Sequence, residues 1–342
     1  MSKPEVAIAS GSIKHRRQWL VLSLTLILAV TAVTASIAIG PIKMSFKEVW
    51  QILLDKSVEQ DVYYQIVWNI RLPRTLVGML VGTGLALSGA ILQGVMRNPL
   101  ADPHIIGVSA GAGFAAVAAL TIIPNFPSSY VPLAAFIGAL TSAAIVYGLA
   151  WKAGVSPMRL ILAGVAVSSL MSAGTSGLLV VFSENVQAVM GWLVGGLAGR
   201  SWFHWHQLWP YIAVAGTISL FTGRQINILL LGDEMATGLG MRVERIRVLL
   251  IALASILAAA AVSVAGLIGF IGLIVPHIIR LLSGSDYRFL LPASALAGGS
   301  LLVLADIGAR MVMDPIELPV GVLTAAFGAP FFLYLLRRGQ KH

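Results

Sequence analysis

Long apolar runs, separated by short polar or glycine- and proline-containing breaks, dominate the chain. Ten runs can be delimited by these breakers, at about 19–40, 72–96, 105–123, 131–151, 158–182, 209–223, 248–268, 270–283, 290–313 and 318–336. A helix needs roughly 20 apolar residues to cross a bilayer, and most of the runs meet that length. The eighth is short and is expected to be bent or to cross only halfway. The runs are continuous, whereas a porin-like barrel alternates lumen-facing and lipid-facing residues, so a barrel is excluded. The pattern predicts an all-α polytopic membrane protein of about ten spans. A single transmembrane domain over 19–336 is expected to lie between an N-terminal segment 1–18 and a tail 337–342.

Three polar stretches interrupt the pattern. In 41–70, Ser45-Phe46-Lys47-Glu48 has the form of a capping box. Phe46, Val49, Trp50 and Leu53 then recur at helical spacing, which predicts an amphipathic helix lying on the membrane face or packed over the bundle. In 183–208, the weakly apolar piece Val186 to Leu197 is too short to span and is expected to be re-entrant or superficial. Residues 224–247, RQINILLLGDEMATGLGMRVERIR, form a mixed-charge segment punctuated by Gly238 and Gly240. They predict a compact loop of two short helices, suited to docking a partner.

Composition agrees with the patterning, with 58% hydrophobic and 11% charged residues and a mean hydropathy of +0.89. The first run follows Lys14-His15-Arg16-Arg17; it is too long for a signal-peptide core and lacks a clear cleavage site, so it is expected to be a retained span. The net charge of +9 would suit nucleic acid, but its distribution follows membrane topology instead. With the N-terminus in the cytoplasm, the basic residues left outside are Lys43, Lys47, Lys56, Arg71, Arg74, Arg200 and Arg310; the larger remainder lies inside, as the positive-inside rule requires. Ten crossings then put both termini in the cytoplasm, and no nucleic-acid partner is expected. With no cysteine, disulfides and thiol chemistry are excluded.

Catalytic chemistry is absent from the sequence. No lysine follows a glycine, so a P-loop ending in Gly-Lys is impossible and the chain is expected to have no ATP site of its own. His and carboxylate clusters suited to a metal are lacking in the spans. The one acidic residue well inside a span is Asp306, four residues before Arg310, which reads as a local ion pair on one helix face. An ion-coupled transporter would instead need ligands near the midplane, so the energy source is expected to be another subunit. A lipid-modifying enzyme would need acids, bases or metals gathered at one interface, and none are. His204 and His206, in Phe-His-Trp-His, suit interfacial anchoring better than haem ligation. The tetrapeptide Pro-His-Ile-Ile occurs at 103–106 and 276–279, a match close to chance. Gly78, Gly82, Gly89 and Gly94, with Ala86 and Ser88, allow close helix approach or room for a solute.

At these residues the chain resembles the FecCD family, the permease subunits of ABC importers for iron–siderophores, haem and vitamin B12. The matching pieces are RLPR at 71–74, SGAILQGVMRNPLADPHIIGVSAGAG at 88–113, LILAGVAVS at 160–168, GFIGLIVPHIIRLL at 269–282, LLPASALAGGSLLVLADIGAR at 290–310 and ELPVGVLTAAFGAPFFLYLL at 317–336. They run almost end to end, in order.

The resemblance implies a type II ABC importer permease. Its architecture is a ten-helix protomer in a bacterial plasma membrane, paired with a second copy, two cytoplasmic ATPases and an external solute-binding protein. ATP and Mg²⁺ would sit on the ATPases, with no cofactor or metal on this chain. It also implies that Arg71, Arg74 and Arg310 are exposed on the outer face, where guanidiniums offer bidentate contacts to carboxylates of the binding protein. Asn98 and Leu100, and in the turn before the fifth span Pro157 and Met158, match the cytoplasmic gate. Pro157 and Met158 depart from the small hydroxyl residues of the vitamin B12 permease, which makes a vitamin B12 substrate less favoured; a ferric siderophore is the expected substrate, with haem or cobalamin as the alternatives within the family. Asp233, Glu234, Met235, Ala236, Thr237, Gly238, Leu239, Gly240 and Met241 match the coupling helices that insert into the ATPase.

Overall fold

The computed structural model describes residues 4–42, 44–54, 62–152, 154–313 and 315–339; Lys43, Lys56 and the extremities of the expected N-terminal segment and tail lie outside them. The described residues are helical and contain no strand, only an isolated bridge between Trp151 and Val155. Without water in a bilayer core, a backbone must satisfy its own hydrogen bonds, and continuous helices do so.

Six helices are long and apolar enough to cross a membrane. They are α1 (Pro4–Ala38), α4 (Leu72–Val95), α6 (Val131–Ala150), α7 (Pro157–Val181), α12 (Val243–Ala265) and α14 (Tyr287–Met311). A seventh crossing can be made by α9 (Trp202–Phe221) with α10 (Gly223–Leu229), bent by 54°. Three further helices are apolar but shorter, namely α5 (Val108–Ile122), α13 (Ile271–Ser283) and the apolar part, Val320–Tyr334, of α15 (Val320–Gly339).

The amphipathic helix expected after residue 45 is α2 (Phe46–Leu54). Its capping box is closed on both sides: Ser45 N–H donates to Glu48 Oε2 at 2.7 Å and Glu48 N–H to Ser45 Oγ at 3.3 Å. Val49 is buried against Ile37, Ala38 and Val67. The short helix α3 (Val62–Gln65) then runs through a π-helical turn, Ile66–Arg71, straight into α4. Pro73 supplies the reason: its missing N–H and its ring displace the carbonyl four residues earlier, and one widened turn absorbs the mismatch.

Helices α4 and α12 are buried nearly all round, whereas α7 is the least buried of the six, so the first two form the centre and α7 a flank. The glycines of α4 serve close approach. A Cβ on Gly82 would lie 2.2 Å from the Gly298 carbonyl oxygen of α14, and one on Gly89 only 1.9 Å from that of Gly272 in α13.

Irregular backbone interrupts the bundle in two places. The segment predicted to be re-entrant contains α8 (Val186–Val194), which is too short to span. The chain then passes through Gly195 against Leu267, in the break between α12 and α13. The predicted pair of short helices in 224–247 is instead α10, α11 (Asp233–Gly238) and the first turn of α12. Gly240, at φ +81°, makes the reversal between the last two.

Candidate functional site

Charged and polar side chains collect at the two ends of α4. At its N-terminal end, Arg71 donates to the carbonyls of Ile37 at 2.8 Å and Ala38 at 3.0 Å, and to that of Ile42. The first two are carbonyls that α1 leaves unpaired at its C-terminus, and Ile42 lies just beyond that helix. Arg74 forms a two-pronged pair with Asp306 of α14, Nε to Oδ2 at 3.0 Å and Nη2 to Oδ1 at 2.9 Å, and reaches Glu317 Oε2 at 2.8 Å. Arg310 approaches Asp306 Oδ2 at 3.3 Å and donates to Ser36 Oγ at 3.0 Å. Ser36 bonds Thr75 at 2.8 Å, and the Thr75 hydroxyl donates to the Arg71 carbonyl. One network therefore ties α1, α4 and α14 together.

This geometry corrects two expectations. The three arginines are not exposed guanidiniums; all are buried, at 5%, 7% and 4%. Asp306 is more than a local partner of Arg310, because its better-aligned bonds go to Arg74, 232 positions away in sequence. Among the described members of the cluster, Glu317 is the half-open one, with 35% of its side chain exposed.

At the C-terminal end of α4 the chain turns by a Schellman motif, with Asn98 N–H bonding the Gln93 carbonyl at 3.1 Å and Arg97 N–H the Gly94 carbonyl at 3.3 Å. Arg97 occupies the left-handed position, φ +49°, where glycine is usual. Its side chain accounts for the exception, donating to the Leu229 carbonyl at 3.0 Å and pairing closely with Asp233. Asn98 Oδ1 accepts from Leu100 N–H at 2.9 Å, which fixes the turn 98–100.

Asp233, at the start of α11, is shared. Both its oxygens also accept from Arg247 Nη2, at 2.9 Å each. Arg247, buried in the first turns of α12, donates through Nη1 to Glu244 and to the Val155 carbonyl at 3.0 Å. Glu244 Oε2 in turn accepts from Val155 N–H at 3.3 Å. Burial alone would raise the pKa of Asp233, but the Arg247 bonds and charge, followed by those of Arg97, outweigh it and hold the carboxyl below its ordinary value. Pro157 and Met158 open α7 just beyond this point, with Ser156 as N-cap. Met158 is exposed.

The geometry thus brings Arg71, Arg74 and Arg310 into one cluster at one end, and the two expected gate turns and segment 233–241 to the other. No hydrogen bond joins turn 98–100 directly to Pro157 or Met158 among the described residues; both turns connect through Asp233. On the 233–241 segment, Met235 and Leu239 are exposed while Ala236 is buried.

The model of the FecCD transport family matches residues 24–338. The chain belongs to that family. It is 51% identical over 273 residues to the cobalamin import system permease of Halobacterium salinarum, covering 80% of this chain and 73% of that protein. It is 41% identical over 326 residues to the Fe(3+)-citrate import system permease of Bacillus subtilis, covering 95% and 96%. A solved metal-chelate-type ABC transporter in an inward-facing conformation superposes with a TM-score of 0.83 at 33% identity, over 93% of this chain and 98% of that one. Family permeases are transport subunits that act with ATPase and solute-binding partners, and this FecCD chain is a multi-pass membrane protein.

Sequence reasoning did not single out Glu244, Arg247 or Glu317. The i, i+3 spacing of Glu244 and Arg247 at a helix start was a usable signal. Glu317 carried none, since its partner is 243 positions away.

Proposed function

We propose that this chain is the membrane-spanning subunit of an ATP-driven importer that carries a bulky metal chelate, a ferric siderophore first among the candidates, into the cytoplasm. The observation that carries this reading is the near full-length likeness to import permeases, including one named for ferric citrate. In this reading the six long helices, the bent α9–α10 pair and the three shorter apolar helices would together supply ten crossings. The basic-residue bias puts the termini and the Asp233 end in the cytoplasm and the Arg74 end outside. The exposed apolar face of α7, with Leu162, Val165 and Leu170, supports pairing with a second copy of this chain. Membrane lipid covers the apolar surface that remains.

In this reading the loaded binding protein docks over Arg71, Arg74 and Arg310. Because these guanidiniums are buried, docking exchanges internal partners for incoming carboxylates, and Glu317 is the partner most open to exchange. ATPases, which carry the ATP and Mg²⁺, close and displace residues 233–241, and the turns at Asn98–Leu100 and Pro157–Met158 reorient. Such alternating access requires the docked and nucleotide-bound states to favour different permease conformations. The ion-coupled alternative is not favoured, since the named relatives are import permeases.

Proteoliposomes holding the chain with its ATPase, supplied with loaded binding protein, are expected to accumulate ferric siderophore only when ATP is inside the ATPase-facing compartment. Uptake by the chain alone, without ATP, would overturn the reading. For docking, exchanging Arg71 and Arg310 together for glutamate is expected to weaken association of the binding protein by about tenfold or more, as loss of charge-assisted pairs does. Surface plasmon resonance on nanodisc-embedded protein reads this directly, and an unchanged Kd removes these residues from the dock.

A further inference from the structure

The Asp233 network has a property that packing alone does not explain. Its ends are the two turns that flank the cytoplasmic side of the bundle, and its middle is the segment proposed to meet the ATPase. From Asp233 one branch runs through Arg97 to the turn 98–100. The other runs through Arg247 and Glu244 to both backbone groups of Val155, two residues before Pro157. Arg159 fastens that second turn from its far side, donating to the carbonyls of Lys152 at 2.9 Å and Gly154 at 2.7 Å and to Ser156 Oγ at 3.0 Å. Two features point to selection for the linkage over local stability. An arginine occupies the left-handed position that ends α4, where glycine would cost less. Arg247 is buried yet spends its two terminal nitrogens on three groups from different elements.

The geometry points to Arg97 and Arg247 as positioning residues that divide one displacement of α11 between the two gate turns, Arg97 moving turn 98–100 and Arg247 moving turn 151–158. The inference deepens the importer reading and rests on it. Helix α11 carries Asp233 as a handle, held at both oxygens by Arg247 and at one by Arg97, and charge-assisted bonds resist being pulled apart more than neutral ones. Each arm ends on backbone or in a turn held by its own hydrogen bonds, so movement of the handle is delivered to the turn and not absorbed by a flexible side chain.

The absence of native cysteine allows clean spin labelling. One pair of labels is placed at Pro99→Cys and Leu304→Cys, the second at Lys152→Cys and Leu304→Cys. Leu304 serves as reference because it lies on α14, locked to α4 by close glycine contacts. Distances are read by pulsed electron resonance in nanodiscs of the assembled complex, without and with ATP plus vanadate. In the parent protein both distances are expected to change with nucleotide. Arg97→Gln is expected to abolish the change at Pro99 and leave that at Lys152. Arg247→Gln is expected to do the reverse. Both are expected to lower siderophore transported per ATP hydrolysed by about tenfold, within the usual range of coupling effects.

A merely structural role would weaken assembly or blunt both distances together, and either outcome overturns the division. Full movement of both turns in both variants overturns it as well. Should Arg247→Gln fail to fold, the half-exposed Arg97→Gln decides, since loss at Pro99 alone sustains the inference and any other pattern sinks it. A parent complex showing no nucleotide-dependent change and no ATP-driven uptake would be a failure of the importer reading itself, distinguishable because it appears without any arginine variant.

Discussion

Replacing Asp306 with alanine is expected to destabilise the detergent-solubilised protein by about 3–5 kcal/mol, the usual cost of leaving buried charges unpaired. Asp306 is 2% exposed and faces two guanidiniums that are themselves buried. Its removal leaves Arg74 with Glu317 alone, and Arg310 with Ser36 and the backbone carbonyls of Ser36 and residue 306. Neither arginine can lose its charge to relieve the site, because guanidinium stays protonated at any accessible pH. The pair also joins α4 to α14, its neighbour in the bundle, so the loss is felt by both helices. Changing Arg74 to methionine together with Asp306 to leucine is expected to restore part of the loss, since a buried ion pair contributes less than a well-packed apolar pair once both partners are gone. Arg310 remains short of a carboxylate, which is why recovery is partial. Thermal unfolding followed by intrinsic tryptophan fluorescence measures both variants. An unchanged transition in Asp306→Ala would mean that water reaches the cluster and carries the arginine charges.

The second large effect comes from two glycines. Gly82→Ala and Gly89→Ala are each expected to cost on the order of 3 kcal/mol, the upper part of the range for overpacking. The new methyl carbon would stand 2.2 Å from the Gly298 oxygen in the first case and 1.9 Å from the Gly272 oxygen in the second, and in both the neighbours are backbone atoms that cannot rotate away. Helix propensity favours alanine by only about 1 kcal/mol, so the clash wins. Gly148→Ala is the control. No atom lies within 4 Å of its would-be Cβ, so propensity should prevail and stability should be unchanged or slightly higher. Equal melting temperatures for all three variants would show that α4 can shift against α13 and α14 without cost.

These two cases mark how far the sequence could be read. The run 72–96 announced a membrane helix with small residues on it, but whether they made room for a solute or for a neighbour was left open. Contact distances at Gly82 and Gly89 favour the neighbour for those two. Similarly, Asp306 and Arg310 at i, i+4 predicted a pair on one helix, and the pair exists. The stronger partner, Arg74, was legible only as a charge at the mouth of another span. The expectation that Arg71, Arg74 and Arg310 stand exposed failed for the same reason. A sequence places a charged residue near a membrane boundary, but the carbonyl ends of α1 and the carboxylate of α14 that bury it arrive from remote segments.

At the other end, the glycine-broken segment 224–247 was expected to hold two short helices. The division falls differently because Val243 onwards is already part of α12, whose first-turn Glu244 and second-turn Arg247 are used to grip Val155. The helix needed those residues inside it so that Asp233 and Val155 could be held from one rigid element.

By itself the sequence determined the class of protein. Continuous apolar runs can satisfy their backbone in lipid only as helices, basic residues distribute by topology, and the family motifs run the length of the chain. It also determined α2, because a capping box and an apolar stripe are local devices closed within nine residues. The tertiary structure alone decided which helices are central, which glycines touch backbone, that Arg74 answers to Asp306 and Glu317, and that Arg97 and Arg247 share Asp233. Those facts depend on where helices far apart in sequence come to lie, and hydrogen bonds and close packing act over a few ångströms in space whatever the separation along the chain.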